Sequence, residues 1–151
     1  MWPKDESFDP YFCPLKQEHK MELLMTKVCM TRDLGVHGNL FGGIMLSWID
    51  EAAVAMANRI CKTPNMVTRK MTEILFERPV KVGHCINIYG TALSMGTTSI
   101  ALKLEARRYN VYTELEEVVC TTQVVFVRID ENGEKIPIAG EVRRKFEEGK
   151  A

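Results

Sequence analysis

The sequence predicts an α+β fold in which one curved antiparallel sheet wraps around one long central helix. Three observations carry that expectation. A single stretch, residues 41–60, spaces its apolar residues at the helical interval. The apolar and β-branched runs on either side are joined by short turn-like segments, which favours antiparallel pairing. The helix is apolar around most of its circumference, so it needs cover on nearly all sides, and a strongly bent sheet supplies it.

The elements follow in order. Residues 1–20 are polar, with Pro3, Pro10 and Pro14, and read as an arm without a core of its own. Residues 22–31 read as the first strand. A Gly-rich loop follows, Leu34-Gly35-Val36-His37-Gly38-Asn39. In the helix, Met45, Trp48, Ile49, Ala52, Ala53, Met56 and Ile60 make one broad apolar face, and Lys62-Thr63-Pro64-Asn65 ends it with turn chemistry. Strands are predicted at 66–76, 85–94, 99–109 and 116–128. Their separators are residues 79–83, Gly96-Thr97 and residues 110–114, and Asn132-Gly133 marks a further tight turn. Residues 141–151 are highly charged and read as a solvated tail or short helix. One domain over residues 21–140, with an arm before it and a tail after it, suits a chain of 151 residues.

Composition narrows the function. Twenty basic and twenty acidic residues cancel, which argues against a nucleic-acid binder but leaves room for a local basic rim around a phosphorylated ligand. No apolar run approaches the ~18 residues needed to span a bilayer, and Asp5, Glu6 and Asp9 do not suit a secretory signal. Five scattered cysteines without a CxxC pair suggest neither a zinc ribbon nor a disulfide framework. They read as reduced thiols, and a cytoplasmic protein is expected.

One charged residue does not fit the helix. Ser47, Glu51, Asn58 and Lys62 form an ordinary polar face at 100° per residue, and Glu51 reads as solvated. Asp50 lies about 100° away from it, in the stripe Gly43, Leu46, Asp50, Val54, Ala57, Cys61. A carboxylate in an apolar stripe is costly unless it is paired or faces a cavity. It is either a structural ion pair with an arginine across an interface or a functional group. At the helix start, Gly42-Gly43 allows either tight packing against a strand or docking of a carbonyl oxygen on unpaired N–H groups. Asn39 is either a loop residue or an amide that holds water. Together the three make a hydrolytic set: an electrophile-binding terminus, a base and an amide.

The run Val36-His37-Gly38-Asn39-Leu40-Phe41-Gly42-Gly43, followed by Trp48-Ile49-Asp50-Glu51-Ala52-Ala53, resembles the acyl-CoA hydrolase branch of the hotdog-fold thioesterases. Phe76-Glu77-Arg78-Pro79-Val80-Lys81-Val82-Gly83 is similar to that family's Phe-x-x-Pro-x-x-x-Gly segment. Gly96-Thr97-Thr98-Ser99 is similar to its Gly-x-[Ser/Thr]-Ser turn, and Asp130-Glu131-Asn132-Gly133 to its terminal hairpin turn. The resemblance covers roughly residues 21–140. His84 departs from it, since an acidic residue commonly follows the glycine.

The resemblance implies a hotdog fold, hydrolysis of acyl-CoA to fatty acid and CoA, a homodimer joined sheet edge to sheet edge, and often a trimer of dimers. It implies that Asp50 is the general base or a nucleophile, that Asn39 comes from the other protomer, and that the Gly43 N–H polarises the thioester carbonyl. Gly42, Thr68, Arg69 and Ser99 are the candidate substrate-binding residues. Arg69, Lys70, Arg78, Lys81, Arg107 and Arg108 are candidates for the CoA phosphates, though each reads first as an ordinary surface charge. No cofactor, metal, nucleic acid or membrane partner is expected.

Other hydrolytic schemes find less in the sequence. There is no GxSxG for a serine hydrolase and no dinucleotide fingerprint. Cys85 beside His84 is adjacency in sequence, and His37 is a lone loop histidine. The remaining alternatives share the fold: an enoyl-CoA hydratase, whose catalytic histidine motif does not occur on this helix, or a non-catalytic acyl-CoA-sensing module.

Overall fold

The computed structural model describes residues 21–149. The elements are β1 (Glu22–Val28), a 3-10 turn (Thr31–Asp33), α1 (Gly42–Cys61), β2 (Met66–Phe76), β3 (Cys85–Met95), β4 (Ser99–Tyr109), β5 (Glu116–Arg128) and α2 (Gly140–Glu147). The five strands form one sheet in the order β1-β3-β4-β5-β2, and every neighbouring pair is antiparallel. Helix α1 packs against all five, so the sheet curves around it as the helix composition requires.

Alternation along the central strands defines the inner face. Ile86 and Ile88 of β3, Ile100, Leu102 and Leu104 of β4, and Thr122, Val124 and Phe126 of β5 are buried with Ile49, Ala52, Ala53 and Met56 of α1. Gly90 of β3 lies under Leu24 of β1 and Met56 of the helix. A Cβ there would lie 2.7 Å from Leu24 Cδ1 and 3.0 Å from the Met56 sulfur, so the position has no room for a side chain. The helix ends where Lys62 turns left-handed (φ +53°) and its N–H reaches Asn58 O, two residues before Pro64.

Three of the four later strands match their predicted bounds, and β3 runs one residue further, to Met95. The first strand stops three residues short of its expected end. There the Met30 N–H donates to the Asp33 carboxylate at 2.9 Å and the chain coils into the 3-10 turn. The charged C-terminal stretch is a helix as far as Glu147, and it buries Val142 against the core. The proposed arm, residues 1–20, lies outside the described residues. Among the described residues no helix is long and apolar enough to cross a membrane.

Strand β2 is an edge. Met66 is its only buried residue, while Val67, Ile74, Leu75 and Phe76 are exposed. Its register against β5 shifts between Thr68 and Lys70 and again between Thr72 and Leu75, and Glu73 has a φ of +53°. An eleven-residue edge with open backbone groups and apolar side chains invites another strand.

Candidate active site

Asp50 lies two turns inside α1 and faces β2. Its carboxylate accepts the Thr68 hydroxyl at 2.7 Å. The stripe that carries it is graded: Ala57 and Cys61 are buried, Leu46, Asp50 and Val54 are partly exposed, and Gly43 is exposed. The N-terminal half of the stripe therefore lies open beside the β2 edge. Glu51, by contrast, is exposed on the polar face as expected.

The helix start has no side-chain cap. Its own bonding begins with the Ile44 and Met45 N–H groups, both donating to Phe41 O, so the N–H groups of Gly42 and Gly43 have no acceptor within the helix. The positive end of the helix dipole lies here. A Cβ on Gly42 would lie 3.2 Å from Phe76 Cζ, and one on Gly43 would lie 2.9 Å from Phe41 Cε1. The glycine pair thus makes room for two aromatic rings, which supports the packing reading without closing the N–H groups to a ligand.

Asn39 ends the Gly-rich loop. Its carbonyl accepts the Gly35 N–H at 2.8 Å and its side-chain oxygen accepts Lys81 Nζ at 3.5 Å. The next residue, Leu40, donates its N–H to Val80 O at 2.7 Å. Asn39 and Gly42 line a cavity of about 310 Å³ whose apolar walls include Leu40, Met45, Phe76, Val80 and Val119.

The structure thus brings Asp50 to Thr68 at one point, and Asn39 and Gly42 to one cavity at another. Seven residues separate Gly43 from Asp50, about 10 Å along the axis and almost in line on one face. Arg69 is exposed beside Thr68 at the first register shift. Ser99 lies elsewhere: it pairs with Val127, which pairs with Val67, whereas Thr68 is in the row of Phe126 and Ile100. Cross-strand partners share a face, so Ser99 is on the side of the sheet away from Asp50. It sits instead against the Gly96 turn, whose N–H its carbonyl accepts at 2.8 Å.

Several candidate phosphate ligands are engaged in ion pairs. Arg78 and Arg108 both bind Glu117, at 2.8 and 2.7 Å, and Arg107 binds Glu105 at 3.1 Å while lying over the Tyr89 ring. Arg69, Lys70 and Lys81 remain exposed. Burial pushes the Cys61 and Cys120 thiols up to about 11 and raises Cys29 as well, so these three hold little thiolate at neutral pH. His84 is buried, and its Nδ1 accepts the Lys81 N–H at 3.1 Å. Among the described residues no group of three or more His, Cys, Asp and Glu side chains is placed to hold a metal.

The contacts of Lys81 and His84 were not legible in the sequence: Lys81 reaches Asn39 in another loop, and His84 accepts the Lys81 N–H within its own turn, and neither contact leaves a periodic trace. The one signal was the departure at His84 from the acidic residue usual after the glycine.

Comparisons with known proteins converge. The thioesterase superfamily profile matches residues 37–115. An uncharacterized acyl-CoA thioester hydrolase of Haemophilus influenzae is 30% identical over 138 residues, 89% of each chain. The acyl-CoA thioester hydrolase YciA of Salmonella typhimurium is 29% identical over 120 residues, 78% of this chain and 90% of that one. Among solved structures, a hexameric broad-specificity acyl-coenzyme A thioesterase superposes with a TM-score of 0.77 at 28% identity, covering 85% of this chain and 94% of the other. A hexameric hotdog-fold thioesterase of Campylobacter jejuni gives 0.72 at 31% identity, covering 82% and 94%.

Proposed function

The chain belongs to the thioesterase superfamily, and from that membership we infer a hydrolytic site shared between two protomers, with Asp50 as its base. The overall reaction is hydrolysis of acyl-CoA to a carboxylic acid and CoA, the activity its relatives and structural neighbours are named for.

The observation that carries the shared site is the arrangement on α1. Asp50, held by Thr68, and the Gly43 N–H lie on one open helix face, about 10 Å apart. That is too far for both to reach one thioester carbon. A two-fold axis beside the β2 edge sets two such helices antiparallel, so that Gly43 and Asn39 of one protomer meet Asp50 of its partner. Each dimer then has two equivalent sites. The exposed apolar residues of β2 supply the joint, and three dimers assemble as in the hexameric neighbours.

The chemistry is that of an activated water. The thioester carbonyl oxygen docks on the Gly43 N–H, where the helix dipole stabilises the charge that develops on it. Asp50 takes a proton from water as the water oxygen bonds to the carbonyl carbon. The tetrahedral intermediate collapses with cleavage of the C–S bond. The electron pair leaves with sulfur, which takes up a proton, and no strong general acid is required. The acyl chain runs into the cavity beside Leu40, Met45 and Phe76. We assign the nucleotide phosphates to Arg69 and Lys70, which are exposed beside Thr68. The four cysteines among the described residues are free thiols, in keeping with a cytoplasmic enzyme.

Asp50→Asn tests the base. The amide is nearly isosteric and cannot take the proton, so kcat is expected to fall by roughly 10²- to 10⁴-fold with fold and assembly unchanged. Glu51→Gln is expected to retain activity. Full hydrolysis by Asp50→Asn, or equal loss in the two variants, would remove Asp50 from the mechanism.

A further inference from the structure

We infer that the turn from Val80 to His84 positions Asn39 for catalysis, with Lys81 holding the oxygen of its amide so that the amide N–H donors face the reacting carbonyl. The inference rests on the assignment of Asn39 to the reacting centre and extends it to residues outside that centre.

The turn is braced from within. Gly83 adopts a φ of +86°, which closes the chain back on itself. The His84 N–H donates to Lys81 O at 3.1 Å, and Nδ1 of the buried His84 ring accepts the Lys81 N–H, also at 3.1 Å. Because Nδ1 is the acceptor, the ring is held as the Nε2–H tautomer. The backbone of Lys81 is thus bonded to the backbone and the side chain of the same residue, which fixes where its side chain starts.

The same turn grips both ends of the segment that carries Asn39. At the first end, Gly83 N–H donates to Cys29 O at 2.8 Å and Cys29 N–H to His84 O at 3.0 Å. At the second, Leu40 N–H donates to Val80 O at 2.7 Å, and Lys81 Nζ reaches Asn39 Oδ1 at 3.5 Å. The loop itself closes through Gly35 N–H to Asn39 O, and just past its second end through Phe41 N–H to Asp33 O. An ammonium has donors and no acceptor, so it selects the amide oxygen and turns the NH₂ group away. Asn39 is then a donor to the developing oxyanion beside the Gly43 N–H, rather than an acceptor for the attacking water.

The test is a kinetic series on the full-length protein with acyl-CoA and with the matching acyl-pantetheine. Lys81→Met keeps the aliphatic stem and removes the donor at an exposed position. It is expected to lower kcat by about tenfold, with KM little changed and the same loss on both substrates. In an Asn39→Ala background it is expected to cost nothing more, since it acts only through Asn39. Asn39→Asp keeps an oxygen for Lys81 but has no N–H to give, and is expected to be as impaired as Asn39→Ala. His84→Leu is expected to copy Lys81→Met, and His84→Asn, which restores an acceptor close to Nδ1, to recover kcat. Should the buried His84 variants fail to fold, the Lys81 series decides alone. A Lys81→Met effect seen in KM for acyl-CoA and absent with acyl-pantetheine would make Lys81 a phosphate ligand and overturn the inference. Unchanged kcat in Lys81→Met, full additivity with Asn39→Ala, or an active Asn39→Asp would also overturn it. Wild-type activity in Asn39→Ala would instead fail the shared-site assignment on which it rests.

Discussion

Asp50 was legible because a helix has a fixed angular step. A carboxylate placed among Leu46, Val54 and Ala57 stands out on the wheel without any structure. Thr68 carried no such mark. It lies eighteen residues on in a separate strand, and only the packing of β2 beside α1 brings its hydroxyl to the carboxylate. Its first effect is on Asp50 itself: one donated hydrogen bond fixes the rotamer of the proposed base. Thr68→Val keeps the shape and deletes the donor. We expect kcat to fall by about tenfold, the scale of one hydrogen bond to a charged group, with Tm nearly unchanged because the position is exposed. Steady-state kinetics and a thermal melt check this, and an unchanged kcat would mean that the bond does not orient the base. Lys81 and His84 were hidden for a related reason. Lys81 meets Asn39 across two loops and His84 meets Lys81 within one turn, and such contacts have no period to read.

At the scale of elements, the sequence was most informative where one period governs a whole segment. The helix and four strands were legible to within a residue or two, because apolar faces repeat at 3.6 or 2 residues and turns interrupt them. The first strand ended early because a local bond, Met30 N–H to the Asp33 carboxylate, competes with the ladder. The two register shifts in β2 and the left-handed Glu73 gave no sequence signal, since a bulge depends on the partner strand as much as on its own residues. These shifts sit on the edge that we assign to the dimer joint. Leu75, 56% exposed, tests that assignment. A lysine there is the device natural edges use against pairing, so Leu75→Lys is expected to yield folded monomers by light scattering and far-UV circular dichroism. Hydrolysis is expected to be lost in proportion to the monomer fraction. An active monomer, or an undisturbed dimer, would place the joint elsewhere.

For the whole molecule, the fold is an α+β hotdog and the family is that of the thioesterases. Both were foreshadowed by linked residues: Asn39, Gly42-Gly43 and Asp50 at fixed spacing, with the strand motifs after them. Ser99 shows the limit of that legibility. It belongs to a recognisable turn, yet alternation along β4 puts it on the face away from Asp50, and a motif alone does not say which face a residue takes. In the site we propose, a partner is required because the Asp50 carboxylate and the Gly43 N–H of one protomer lie about two helical turns apart.

That separation makes the mixed dimer the most direct test. Asn39→Ala and Asp50→Asn, each expected to be strongly impaired as a homodimer, are co-expressed with different tags so that mixed dimers can be purified and verified. If Asp50 of one protomer serves Asn39 of the other, a mixed dimer has one site with both substitutions and one with neither. Random pairing makes about half of all dimers mixed, each with one intact site, so roughly a quarter of wild-type activity is expected to return. Verified mixed dimers with no activity above the mean of the two parents would contradict the shared site.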